Sequence, residues 1–283
     1  HDALPISTSL FTSINSEIDQ LIACSSCQDK LIENIAQLIS EHQLDGINID
    51  FEYLGQVDSD KRQKFTDLMY RLHNLLETRF PRTKLSIDVY GGAAKMNNLW
   101  DFPLLAKIVD RVIVMGYDYK TKKSNSPGPT APLLGKDHLG GDIWEDLRTL
   151  MKYVPNQKII LAIPFYGYAW ETTSDQLTQA QTYPGSGQTL TYKAARKLLA
   201  DKELTVQERW DERSLTPYLV WQTNEGSEQE PNWRWHIGFF ENPRSLNYKI
   251  DVVNALDLGG IAIWALGYEG QYDELWQTIK QRL

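Results

Sequence analysis

The chain has 283 residues, 42% of them hydrophobic, and carries 37 acidic against 29 basic side chains, for a net charge of −8. That is enough apolar material for one large core, and an acidic balance with the two signs interspersed excludes the basic surface that nucleic acid or an anionic membrane requires of a partner. No apolar run approaches the roughly 20 residues of a membrane span.

In chain order, Ala3–Ser9 reads as a short strand followed by a loop to about Ser26. Cys24 and Cys27 form a CSSC step near the start of a helix; without a preceding strand it lacks the setting of a redox motif, and it reads as a local disulfide or two inert thiols. Gln28–His42 carries Leu31, Ile32, Ile35, Leu38 and Ile39 at helical spacing. Leu44–Tyr53, LDGINIDFEY, alternates strictly from Gly46 to Phe51 and is a strand. Asp58 or Ser59 then caps a long helix, with an apolar stripe from Phe65 to Leu76, that ends near Phe80 before Pro81. Lys84–Tyr90 is a strand, Asn97–Val109 a helix, and Arg111–Tyr119 a strand ending in a polar cluster. Residues 120–141 are too rich in Pro, Gly and Ser for regular structure. Trp144–Tyr153 is a helix and Lys158–Ile163 a buried strand that stops at Pro164.

This alternation of strand and helix with short links predicts an α/β fold with a parallel sheet. The rhythm breaks over residues 171–240, which contain a helix at Tyr192–Asp201 and hairpin-like runs at Pro217–Gln222 and Trp233–Phe240. Four tryptophans, Trp210, Trp221, Trp233 and Trp235, mark this stretch as a small α+β insertion and not a linker. Ser245–Leu258 resumes as a helix, Gly260–Ala265 is the last strand and Tyr272–Arg282 a closing helix. The expected organisation is a barrel domain of residues 1–170 and 241–283 interrupted by the insertion at 171–240.

The strand at Gly46–Phe51 organises the rest. One face holds Ile47, Ile49 and Phe51; the other holds Asn48 and Asp50, with Glu52 following. Parallel strands are usually buried on both faces and read as continuous apolar runs. Burying two carboxylates and an amide costs several kcal/mol unless they are paired, so a chain that keeps three in a row uses them. Alternate residues lie about 6.6–7 Å apart along a strand, which places Glu52 at its C-terminal mouth, Asp50 one step below and Asn48 deeper. In a (β/α) barrel that mouth is where chemistry occurs. A calcium loop does not fit, because Gly46 precedes the run and isoleucines separate its polar residues. Nine tryptophans and fourteen tyrosines supply aromatic faces suited to stacking on sugars as well as to core packing.

Four motifs, in this order on these elements, resemble glycoside hydrolase family 18, the family of chitinases and related N-acetylglucosaminidases. They are Asp45, Gly46, Asn48, Asp50 and Glu52; Met115, Tyr117 and Asp118; Pro164, Tyr166 and Gly167; and Trp264 in the final strand. Asn48, and WDERSLTPY at Trp210–Tyr218, are similar to bacterial members that act on cell-wall or spore-cortex peptidoglycan. Asn48 stands where many chitinases have aspartate.

The resemblance implies a (β/α)8 TIM barrel with the insertion between its seventh strand and helix. It implies cleavage of β-1,4 bonds beside N-acetylglucosamine in chitin or peptidoglycan, the sugar's own acetamide acting as nucleophile. Glu52 would be the general acid/base. Asp50 would hold the acetamide N–H, and Tyr117 would bond its carbonyl. Asn48, Met115, Asp118 and Tyr166 would line or hold the sugar, and Trp264 would floor the subsite. No metal or cofactor is implied, and a monomer at the cell envelope or outside the cell is expected. The rival is a silent, lectin-like member of the same fold. Six strands are found where a closed barrel has eight, so either the first two βα units lie before Ala3, which is the expectation, or the barrel is open with strand edges to cover.

Overall fold

The computed structural model describes residues 6–283. The chain divides into two compact units, one of residues up to Met115 with Asp146–Leu161 and Asp257–Gly260, the other of Gly116–Glu145, Ala162–Leu256 and Ile261–Leu283.

The chain opens with β1 (Ser7–Thr12), α1 (Asn15–Ala23), α2 (Ser25–His42) and β2 (Gly46–Phe51). The first strand thus begins and ends later than the expected Ala3–Ser9, of which residues 3–5 lie outside the described part. Pairing with β2 fixes its span, Ser7 opposite Gly46 and Thr12 opposite Phe51. The expected loop to Ser26 contains a helix instead. Polar residues fill most of α1, but Ile18 and Ile22, one turn apart, are buried. Cys24 and Cys27 are joined by a disulfide at the start of α2.

Next come α3 (Ser59–Arg79), β3 (Lys84–Tyr90), α4 (Phe102–Ile108) and β4 (Arg111–Met115). Asp58 caps α3, its Oδ1 accepting the Lys61 N–H at 2.8 Å, and Phe65, Leu68, Met69, Leu72 and Leu76 are its buried stripe. Helix α4 is shorter than the expected Asn97–Val109. Asp101 caps it, and the preceding turn is held separately by the buried Asn98, whose amide donates to the Ala93 carbonyl at 2.6 Å. Strand β4 stops four residues before the expected Tyr119. Beyond Met115 the backbone leaves extended geometry, and Asp118 has φ of 63°, in the left-handed region.

Short α5 (Lys136–Leu139), α6 (Ile143–Leu150), β5 (Ile159–Pro164), β6 (Tyr166–Thr172), β7 (Gln188–Thr191), α7 (Tyr192–Ala200), β8 (Gln207–Asp211), β9 (Thr216–Asn224), β10 (Trp233–Phe239), α8 (Pro243–Ala255), β11 (Gly260–Trp264) and α9 (Glu274–Arg282) follow. The strands form two sheets, one ordered β1-β2-β3-β4-β5-β11 and the other β7-β6-β10-β9-β8. In the first, β1 to β4 pair in parallel; all pairings within the second are antiparallel. The six strands of the first sheet are the six counted in the sequence, whereas β7 and β8 carry too few alternating apolar residues to be read there, and β6, whose Tyr166, Tyr168 and Trp170 do alternate, follows β5 after the single residue Phe165. Glycine at 167 is required by packing: a Cβ on it would lie 1.9 Å from the Phe239 carbonyl oxygen of β10.

In the second unit an ion pair is fully buried. Lys249 Nζ of α8 lies 2.8 Å from Glu241 Oε2, the side chains 0% and 2% exposed, and the Ser245 hydroxyl donates to the same oxygen at 2.8 Å. Removing one partner strands the other charge. Lys249→Met should cost about 3–5 kcal/mol in chemical denaturation, and adding Glu241→Leu should recover part of that loss. A double variant no more stable than Lys249→Met would show that the pair's charges are not what holds this end of α8.

Candidate active site

In the first unit the polar face of β2 is buried against its neighbours. Asn48 lies opposite Ser9 of β1 and Ser86 of β3. Its amide nitrogen donates to Ser9 Oγ at 3.0 Å and to Asp88 Oδ2 at 2.7 Å, and its oxygen accepts from Ser86 Oγ at 2.8 Å. One amide therefore ties three strands together. Asp50, 9% exposed, comes beside Asp88 through the register of β2 and β3, in which Asn48 lies opposite Ser86 and Ile49 opposite Ile87. Burial first, and then the Asp88 charge and hydrogen bond, push the Asp50 carboxyl up to about 7. Burial also raises Asp88, to about 6, with the Glu52 charge adding to it and the hydrogen bonds from Asn48 and Asp50 opposing.

Glu52 follows β2 and is half-buried; its backbone N–H donates to the Thr12 carbonyl at 2.9 Å, which fixes the point where its side chain leaves the sheet. Tyr90, on β3, stands edge-on to Trp100, ring centres 5.9 Å apart. Burial and the Glu52 and Asp50 charges hold its hydroxyl above the ordinary value, so it remains a neutral phenol. Met115, opposite Tyr90 at the end of β4, is buried.

In the second unit a tyrosine cluster converges on Asp118. The Tyr166 hydroxyl donates to Asp118 Oδ1 at 2.6 Å and the Tyr168 hydroxyl donates to the same oxygen at 3.0 Å. Tyr166 packs edge-on against Tyr117, Tyr168 and Tyr268, ring centres 6.0, 5.5 and 6.0 Å away. Burial and the Asp118 carboxylate raise both donor phenols, which stay protonated. Trp264 ends β11 with 52% of its surface exposed, so its indole is not core; its carbonyl accepts the Phe165 N–H at 2.7 Å.

The structure thus brings Asn48, Asp50 and Asp88 together on β2 and β3, and joins Asp118 to Tyr166 by a hydrogen bond with the Tyr117 ring packed against Tyr166. Asp88, Tyr90, Tyr168 and Tyr268 were not singled out in the sequence. For Asp88 a signal existed: in KLSIDVY, Ser86, Asp88 and Tyr90 alternate with Leu85, Ile87 and Val89, the pattern that marks β2. No three His, Cys, Asp or Glu among the described residues are grouped as a metal ion would need.

A sheet of parallel strands alternating with helices, with the Asp50 carboxyl buried on its second strand, is a TIM-barrel-like α/β architecture. The family model for glycosyl hydrolases family 18 matches residues 12–269. The chain belongs to that family. It is 25% identical over 257 residues to the putative sporulation-specific glycosylase YdhD of Bacillus subtilis strain 168, covering 88% of this chain and 53% of that protein. It is 23% identical over 247 residues to the cortical fragment-lytic enzyme of Bacillus anthracis, covering 86% of this chain and 51% of that one. The chain therefore spans about half the length of these two relatives. Its fold matches that of a family 18 chitinase from Cycas revoluta solved with (GlcNAc)3, with a TM-score of 0.83 at 16% identity, over 99% of this chain and 80% of that one.

The raised Asp50 carboxyl has a stability consequence. The folded state binds its proton between the ordinary 3.8 and about 7, so stability falls as pH rises through that interval. Asp50→Asn should stabilise the protein by about 1–3 kcal/mol at pH 8 and by almost nothing at pH 4. Thermal melting at the two pH values checks this, and an equal gain at both would contradict it.

Proposed function

We propose that the protein hydrolyses β-1,4 bonds beside N-acetylglucosamine, in chitin oligosaccharides or the glycan of peptidoglycan, by a substrate-assisted, retaining route. The observation that carries this reading is the crowding of carboxyls on adjacent strands, Asp50 and Glu52 on and just after β2 and Asp88 on β3. A glycosidase that supplies its own nucleophile or base needs two carboxyls flanking the bond from opposite faces of the sugar, about 5–5.5 Å or 6.5–9.5 Å apart. Two acids in one strand approach from one side. The substrate's 2-acetamido oxygen then supplies the nucleophile.

Glu52 donates its proton to the leaving glycosidic oxygen as the acetamide oxygen attacks the anomeric carbon. The bond to the aglycone breaks and an oxazolinium forms. Asp50 holds the acetamide N–H and faces the developing positive charge, and Tyr117 donates to the acetamide carbonyl. Glu52, now a carboxylate, takes a proton from water as that water opens the ring, restoring both the acid and the original configuration. Asp118 and Tyr166 hold sugar hydroxyls, Asn48 and Met115 line the sugar's site, and the half-exposed Trp264 stacks on a sugar face. The two relatives' names, a sporulation-specific glycosylase and a cortical fragment-lytic enzyme, support a cortical glycan of the spore, and the Cycas revoluta complex supports N-acetylglucosamine as the sugar. The Cys24–Cys27 disulfide fits an oxidising location at the envelope or outside the cell.

The test is release of reporter from aryl glycosides of chitobiose and chitotriose, beside digestion of purified peptidoglycan. Wild type should cleave at least one, and Glu52→Gln should lower kcat by about 10²–10⁴-fold. If neither protein cleaves and both bind glycan, the chain is a lectin-like member of the family.

A further inference from the structure

Asp88 belongs to none of the sequence motifs, yet it is the group on which the buried acids of the first unit close. Asn48 spends both amide hydrogens and its oxygen on fixed partners, and the Ser86 hydroxyl on its oxygen sets which way the amide points. Asp88 Oδ2 therefore always meets an N–H. Its other oxygen, Oδ1, is buried with no N–H or O–H donor among the described residues, and Asp50 Oδ1 is in the same condition. Two carboxylates in mutual hydrogen-bonding range cannot both be ionised, and a single proton between them satisfies both.

From β1 the cluster meets Ser9, which does not titrate, and beyond the end of β2 it meets a further carboxyl, Glu52. On β3 itself Ser86 and the neutral Tyr90 flank Asp88. From β4 the residue opposite Asp88 is Ile113. The one cation of that strand, Arg111, is exposed and donates to the Asp110 carbonyl at 3.1 Å. No cation on these strands is placed to neutralise the pair. The N–H on Asp88 favours its anionic form, so at rest the proton sits on Asp50 and is donated to Asp88, in keeping with Asp50 being raised further than Asp88.

We propose that Asp88 is the proton-storing partner of Asp50: the two carboxyls share one proton across β2 and β3, and it passes wholly to Asp88 as positive charge develops on the substrate. One O–H bond breaks on Asp50 and one forms on Asp88; no other reactant takes part. Asp50 is thus neutral while it waits beside Glu52 and anionic when it faces the oxazolinium. Asp88 acts through Asp50 and is a positioning residue. This rests on the reading that the reaction passes through an oxazolinium beside Asp50.

Titration of the Asp side-chain carboxyl carbons by NMR reads the shared proton without any substrate. In wild type, Asp50 and Asp88 should titrate together in two steps, the upper one near neutrality. In Asp88→Asn the Asp50 carbon should titrate in a single step at lower pH, and Asp50→Asn should do the same to Asp88. The oxygen of the amide introduced by Asp88→Asn still accepts from Asn48, so folding is kept. An Asp50 titration unchanged by Asp88→Asn overturns the proposal. In kinetics on the chitotriose glycoside, Asp88→Asn should lower kcat about 10- to 100-fold with KM little changed. Asn48→Asp in that background, which returns a carboxylate to the cluster from β2, should restore part of the loss. An unchanged kcat across the pH range, or a loss in KM alone, overturns the catalytic half. If wild type cleaves nothing, the proposed function and that half fall together, while the NMR titration still decides whether the proton is shared.

Discussion

A polar face on a parallel strand has to be satisfied by the strands beside it, because helices cover the sheet and water does not reach every group. In this protein that duty falls on Asn48. Its amide is the single group that meets β1, β2 and β3 at once, and each of its three polar contacts is with a side chain of the right sense. An ionised aspartate at this position could accept from Ser9 and Ser86 but could not donate to Asp88. The choice of an amide is therefore tied to the presence of a carboxylate on β3, and the two residues make sense only as a pair. Register enforces the pairing, since Asn48 is opposite Ser86 and Asp88 comes one pleat further along.

The second unit solves a similar problem with the opposite inventory. There the anion is one carboxylate, Asp118, and the donors are two phenols that converge on a single oxygen. Asp118 reaches them because its backbone turns into the left-handed region directly after the extended strand, a conformation that aspartate tolerates better than most residues. Two strong donors on one oxygen and edge-on rings around Tyr166 fix these side chains without any cation.

Much of this was legible in the sequence because hydrophobic periodicity survives wherever a strand or helix has one dominant buried face. The six strands of the first sheet, the cap on α3 and the helices α2, α7 and α8 follow from spacing alone. What spacing misreads is instructive. Helix α1 buries only Ile18 and Ile22, too few for a stripe. Strand β4 looks longer than it is because Tyr117 and Tyr119 continue its alternation through a turn. The strands β7 and β8 are short, with one buried residue each, β6 follows β5 after a single residue, and Gly167 is explained only by the carbonyl of Phe239 lying against it. Asp88 was overlooked although its strand shows the same alternation as β2. A lone acid within an apolar run reads as an edge or an exposed pleat until its cross-strand partners are known.

The acid cluster also explains why this region is built from such stiff material. A carboxyl raised toward neutrality is a destabilising feature of the folded state at every pH above its ordinary value, and the surrounding sheet has to outweigh it. Ile47, Ile49, Ile87 and Val89, all nearly inaccessible, are the alternate residues on the same two strands. A strand that carries an acid on one face is held in place by β-branched packing on the other. Because the side-chain period is two, neither face can shift without the other, so the apolar core sets the position of each acid to within a fraction of a pleat. That coupling lets a chain keep two carboxyls in hydrogen-bonding range, where their own repulsion would drive them apart.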